Sequence, residues 1–193
     1  MSDIAAGRWT DRARTIGAMS AAFLGLCVAA CNSEPAQASV LFASGESRLA
    51  PAELKAIEAA FTEQFSLSDD GLHLVDENCG EIPARTEIVD LNGDGAYEVF
   101  VFWGNTCTSG HAESSLSLFT RDSSGRYRQQ LGFPAASYTA LLTGKDSYPD
   151  LQFGGPGFCF AVWSWNGNNY EFKCNSPQEE GGCQYTGNVC QSD

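Results

Sequence analysis

The stretch Asp90-Leu-Asn-Gly-Asp-Gly-Ala-Tyr-Glu98 restricts the possible folds more than any other part of this chain. Side-chain oxygens stand at its first, third, fifth and ninth positions: Asp90, Asn92, Asp94 and Glu98. Gly93 and Gly95 let the backbone fold back between them. Thr86-Glu-Ile-Val89 precedes it and Val99-Phe-Val-Phe-Trp103 follows, both β-rich, so the segment reads as strand, tight oxygen-lined loop, strand. Three carboxylates this close repel one another unless a cation lies among them. Ca²⁺, which takes about six to eight hard oxygens in flexible geometry, is the natural candidate. The competing reading is an Asp/Asn/Gly turn held by its own side-chain hydrogen bonds.

An EF-hand loop would need a bidentate Glu at the twelfth position and flanking helices. That position is Val101, and the flanks are strands. The stretch instead resembles the calcium loop of FG-GAP/VCBS-like, integrin-α-type β repeats, in which D-x-N-x-D-G-x-x-D/E leads into a strand. The resemblance implies that Asp90, Asn92, Asp94 and Glu98 are side-chain ligands and that the Ala96 carbonyl closes the ring. Glu98 stands where Asp is commoner in that family.

Two parts of the chain read as one unit used twice. Ala96-Tyr-Glu-Val-Phe-Val, Leu116-Ser-Leu-Phe and Ser124-Gly-Arg-Tyr127 match Tyr148-Pro-Asp-Leu-Gln-Phe153, Ala161-Val-Trp-Ser-Trp and Asn166-Gly-Asn-Asn-Tyr170. Glu98 aligns with Asp150 and Gly125 with Gly167, and the first unit carries an extra loop near 105–114. Over residues 86–174 this again resembles FG-GAP repeats, the second copy having lost its ion loop: Thr143-Gly-Lys-Asp-Ser147 offers one acid and a lysine. Two units cannot close a propeller, which takes about four to eight blades.

Before the repeats, Leu54, Ile57, Phe61 and Phe65 fall on one stripe of an amphipathic helix over 50–65, with Pro51 suited to its first turn. The expected fold is therefore α+β and mostly β: antiparallel hairpin units, blade-like but not a closed propeller, with one N-terminal helix on an edge or face. The domain spans 49–174, and 175–193 reads as an irregular, cysteine-containing tail.

The N-terminus gives an address. Arg8, Arg12 and Arg14 precede the apolar run of residues 15–30, too short for the roughly 20 residues of a membrane-spanning helix. This is the layout of a secretory signal peptide over 1–30. Val28-Ala-Ala-Cys31 resembles a bacterial lipobox, which implies a lipid-anchored Cys31, a linker over 31–48 and a place in the cell envelope. Asn32 fits the outer membrane, facing the periplasm. Removing 1–30 takes three of the eleven basic and two of the twenty-four acidic residues and leaves the remainder at −14. Such a chain is repelled by nucleic acid, whose binding rests on Lys and Arg neutralising phosphates.

Six cysteines follow Cys31: Cys79, Cys107, Cys159, Cys174, Cys183 and Cys190. An even number in an exported chain implies three disulfides. Cys79 and Cys107 lie outside the two ends of the ion-loop strands, which favours their pairing. A two-residue turn at Asn166-Gly167 would set Cys159 opposite Cys174. A longer turn shifts the register and opens Cys159–Cys183 with Cys174–Cys190. Zinc is disfavoured because no CxxC is present.

Catalytic motifs are thin. There is no HExxH and no G-x-S-x-G. His111 near Ser109 reads as a surface-loop histidine, and Trp103, Trp163 and Trp165 as packing residues. The function expected is a non-enzymatic envelope lipoprotein with a structural Ca²⁺ loop, a binding module for an envelope protein, a glycan or a toxin. The alternative is a small envelope hydrolase working through the ion held by Asp94 or Glu98.

Overall fold

In the computed structural model, residues 48–145 and 148–191 are described. The expected signal peptide, Cys31 and nearly all of the linker lie outside them. Helix α1 (Pro51–Thr62) starts with proline in its first turn, and the Glu53 carboxylate accepts the Ala50 N–H at 2.8 Å. It buries Leu54, Ile57 and Phe61. It stops three residues short of the predicted end, because the chain turns through Gln64 and Phe65 into β1 (Ser66–Leu67). Phe65 keeps its predicted role by packing on Trp103, ring centres 4.9 Å apart.

A small antiparallel sheet comes next: β1, β2 (Leu74–Asp76) and β3 (Gly80–Ile82). Two four-stranded antiparallel meanders follow. The first is β4 (Ala84–Val89), β5 (Glu98–Trp103), β6 (Ser115–Arg121) and β7 (Tyr127–Pro134). Between β5 and β6 the extra loop forms a short helix, α2 (Thr106–Ser109), and a 3-10 turn (Gly110–Ala112). The second meander is β8 (Ser137–Lys145), β9 (Tyr148–Gly154), β10 (Cys159–Trp165) and β11 (Tyr170–Pro177). The fold is α+β and mostly β, its sheets antiparallel and not closed into a barrel.

β5 explains the layering. Antiparallel strands usually alternate buried and exposed residues, but β5 is buried on both faces. Val99 and Val101 join Ile57, Phe61 and Phe119 in a core beneath α1 and the small sheet. Phe100 and Phe102 join Leu116, Leu118, Leu151 and Phe153 in a core between the two meanders. Tyr138 ties the sheets together: its ring stacks on Phe100 at 3.8 Å and its hydroxyl donates to Glu87 Oε1 at 2.7 Å.

The disulfides are Cys79–Cys107, Cys159–Cys183 and Cys174–Cys190. The last two follow from the longer turn. Asn166 Oδ1 accepts the N–H groups of Asn168 and Asn169, which widens the loop and sets Cys174 opposite Val162. Cys159 then faces Pro177, so β11 runs past the predicted end at Cys174. The tail is held by more than its cysteines. Asn175 and Val189 form a parallel bridge, and the Asn188 side chain donates to the Lys173 carbonyl at 2.8 Å, so the β11 edge is covered.

Candidate metal centre

Val89 and Glu98 face each other across the β4–β5 ladder, so residues 90–97 form the loop. Gly93 and Gly95 have φ of 73° and 84°, the left-handed region where a side chain would be strained. The loop draws its amides around its own acids. Asp90 accepts Gly93 N–H at 2.7 Å on Oδ1 and Gly95 N–H at 3.0 Å on Oδ2. Asp94 Oδ1 accepts the Ala96 N–H at 2.7 Å, and Asp94 Oδ2 accepts the Asn92 amide at 2.8 Å. Asn92 Oδ1 in turn accepts the Asp94 N–H.

Glu98 lies deeper, with 1% of its surface exposed. Its Oε2 accepts the Leu91 N–H at 2.8 Å, and its Oε1 accepts the hydroxyl of Tyr148, which reaches across from the second meander, also at 2.8 Å. Burial pushes the Glu98 carboxyl above its usual 4.5. The Leu91 N–H and Tyr148 hold it back in part, while Asp94 and Asp90 push with burial. Burial and the Glu98 hydrogen bond likewise raise Tyr148. None of the ion pairs among the described residues includes Asp90, Asp94 or Glu98. Arg48 lies over the Tyr97 ring, 5.4 Å from its centre, without pairing with them.

The donor chemistry fits a hard divalent ion: every side-chain donor at the predicted positions is an oxygen. Each Asp90 and Glu98 oxygen accepts one hydrogen bond and retains a lone pair. The cage is not preformed. Among the described residues, no three Asp, Glu, His or Cys side chains are grouped as metal ligands. An ion has to compete with the Asn92–Asp94 bond.

The second meander carries a counterpart. Asp150 sits opposite Leu141 as Glu98 sits opposite Val89, and it is equally buried. Its Oδ2 accepts the Lys173 ammonium at 2.6 Å and the Thr143 hydroxyl at 3.0 Å. Burial alone would raise Asp150. The hydrogen bonds and charge of Lys173, with help from Ser164 and Thr143, leave it below its usual value. Asp150 Oδ1 is buried and makes no well-formed hydrogen bond, and the residue borders a cleft of about 370 Å³ with Thr143, Ser164, Glu171 and Lys173.

Sequence reasoning named the loop acids and Asp150 but missed Tyr148 as a partner of Glu98 and Lys173 as a counter-ion. The Tyr148 contact depends on how the sheets pack, which no spacing reveals. Lys173 had a signal: a buried acid aligned with Glu98 needs a cation, and the last strand of that unit supplies a lysine. The predicted loop histidine His111 is exposed on the 3-10 turn, whereas Ser109 is buried against Ser115, hydroxyls 2.9 Å apart. No family model matches the chain, and no curated protein or solved structure matches it either.

Proposed function

We propose that this protein is a non-enzymatic cell-envelope lipoprotein, anchored through Cys31, whose Asp90–Glu98 loop takes a structural Ca²⁺ that orders a binding module. The observation that carries the metal reading is Glu98: a buried carboxylate, flanked by Asp90 and Asp94, in no ion pair among the described residues. Burying a charge without a counter-charge is costly, and a divalent ion removes that cost. The resemblance of the loop to FG-GAP repeats supports the same ligand set. The envelope address rests on the lipobox-like Val28-Ala-Ala-Cys31. The three disulfides fit an oxidising compartment. The partner class this reading implies is an envelope protein or a glycan.

Ion binding stabilises the native state by mass action. At ten times Kd the gain is about 1.4 kcal/mol, or roughly 3–6 °C in melting temperature for a chain of this size. Extracellular-type sites have Kd values of about 0.1–1 mM. Melting the chain in millimolar Ca²⁺ and in excess chelator therefore gives a shift of that order, and Asp94→Ala abolishes it. Equal melting temperatures in the two buffers would refute the metal reading.

A further inference from the structure

The two meanders correspond in register as well as in sequence. In the first, the β6–β7 ladder shifts between Leu118 and Phe119; in the second, the β10–β11 ladder shifts between Val162 and Trp163. Phe119 pairs with Val99, and Trp163 with Leu151, each the residue after the buried acid. The last strand of each meander opens with a tyrosine that donates to the carbonyl just before that acid. These bonds are Tyr127 to Tyr97 O at 2.8 Å and Tyr170 to Pro149 O at 2.9 Å. Glu98 and Asp150 thus occupy one structural position.

Each ladder shift leaves one unpaired residue on the last strand. In the first meander, Leu118 pairs with Leu131 and Phe119 with Gln129, leaving Gln130. In the second, Val162 pairs with Cys174 and Trp163 with Phe172, leaving Lys173. Gln130 and Lys173 are therefore equivalents. Both turn back over the sheet, but to different ends. Lys173 reaches Asp150 at 2.6 Å, whereas Gln130 donates to the hydroxyl of the buried Thr120 at 2.9 Å and brings no charge.

We propose that the fold requires a positive charge beside the acid at this position in each meander. Lys173 supplies it from within the chain in the second, and neutral Gln130 leaves it to an external divalent cation in the first. Lys173 is the covalent stand-in for the ion, and the second meander dispenses with an acidic loop because it has the lysine. This rests on the calcium reading above for the identity of the external charge, but not for the need for a charge.

The test transplants the charge. Gln130→Lys and its uncharged control Gln130→Met are made in the full chain, together with Glu98→Gln, which removes the acid while keeping its shape. Each is melted in excess chelator and in millimolar Ca²⁺. In chelator, Gln130→Lys melts above Gln130→Met by about 3 °C or more. Glu98→Gln also melts above wild type there, because an uncompensated charge is gone. In Ca²⁺ the Glu98→Gln order reverses, and the gain that Gln130→Lys draws from Ca²⁺ falls to less than half that of Gln130→Met. If Gln130→Lys and Glu98→Gln both melt no higher than their references in chelator, the charge requirement is overturned, whatever calcium does. If they do melt higher but wild type ignores calcium, the requirement stands and the metal assignment fails alone.

Discussion

Glu98 and Asp150 show how far one neighbouring side chain decides the cost of a buried carboxylate. Both are 1% exposed and burial is the largest single push on each, yet at Asp150 the hydrogen bonds and charge of Lys173, with Ser164 and Thr143, together outweigh it. Linkage turns this into a pH effect. Asp150 titrates lower in the folded chain than in the unfolded one. Its pairing therefore contributes stability that is fully present above the unfolded value near 3.8 and is lost as pH falls through the folded value. Lys173→Met removes that contribution and lets burial raise the carboxyl. The variant is then less stable than wild type at pH 6, and the gap in urea midpoint narrows as the pH falls below 3.8. A gap that stays constant would show that Lys173 acts through packing alone. At this scale the loop stood out in the sequence by its fixed spacing of oxygens between glycines, and in the fold Asp90, Asn92, Asp94 and Glu98 each accept an amide of the loop. Tyr148 did not stand out, because its bond to Glu98 spans fifty positions and exists only once two sheets have packed.

Helix α1 and strand β5 were readable from their patterns, one by a 3.6-residue stripe and the other by an unbroken apolar run. The helix sits on the first meander through Ile57, which is fully buried among Val99, Val101 and Phe119 and their neighbours. Truncating Ile57 to Ala should cost about 2–5 kcal/mol in chemical denaturation, with the calcium response unchanged, since Ile57 lies on the far side of β5 from Glu98. Loss of the calcium response together with stability would show that the helix shapes the loop. Element ends were less legible. The Asn-Gly pair at 166–167 is a two-residue turn signal, but Asn166 spends its side chain on two following amides and makes a longer loop. That one local choice sets the register and decides two disulfides. The sequence leaves both connectivities open because it cannot rank a side-chain hydrogen bond against a tight turn.

For the described part of the chain, the layers run from helix and small sheet through the first meander to the second. The stack ends there for a physical reason. Asp150 and Gln152 alternate with Leu151 and Phe153, so they lie on the face turned away from the inter-sheet core. That face carries Lys173, Glu171, Ser164 and Thr143 around an open cleft rather than a third apolar layer. The disulfide-held tail covers the neighbouring β11 edge. Two blade-like units thus end in polar surface without closing into a ring. This arrangement was foreseeable in outline from the repeat but not in detail, since alternation gives faces while packing decides which face is covered. What matters most is whether a divalent ion enters the first meander's loop. Calorimetric titration of Ca²⁺ into chelator-stripped protein tests it most directly. The expected result is saturable binding at one site per chain with Kd of about 0.1–1 mM, abolished by Asp94→Ala. No heat above dilution at millimolar Ca²⁺ would contradict it and leave the loop as a turn closed by its own side chains.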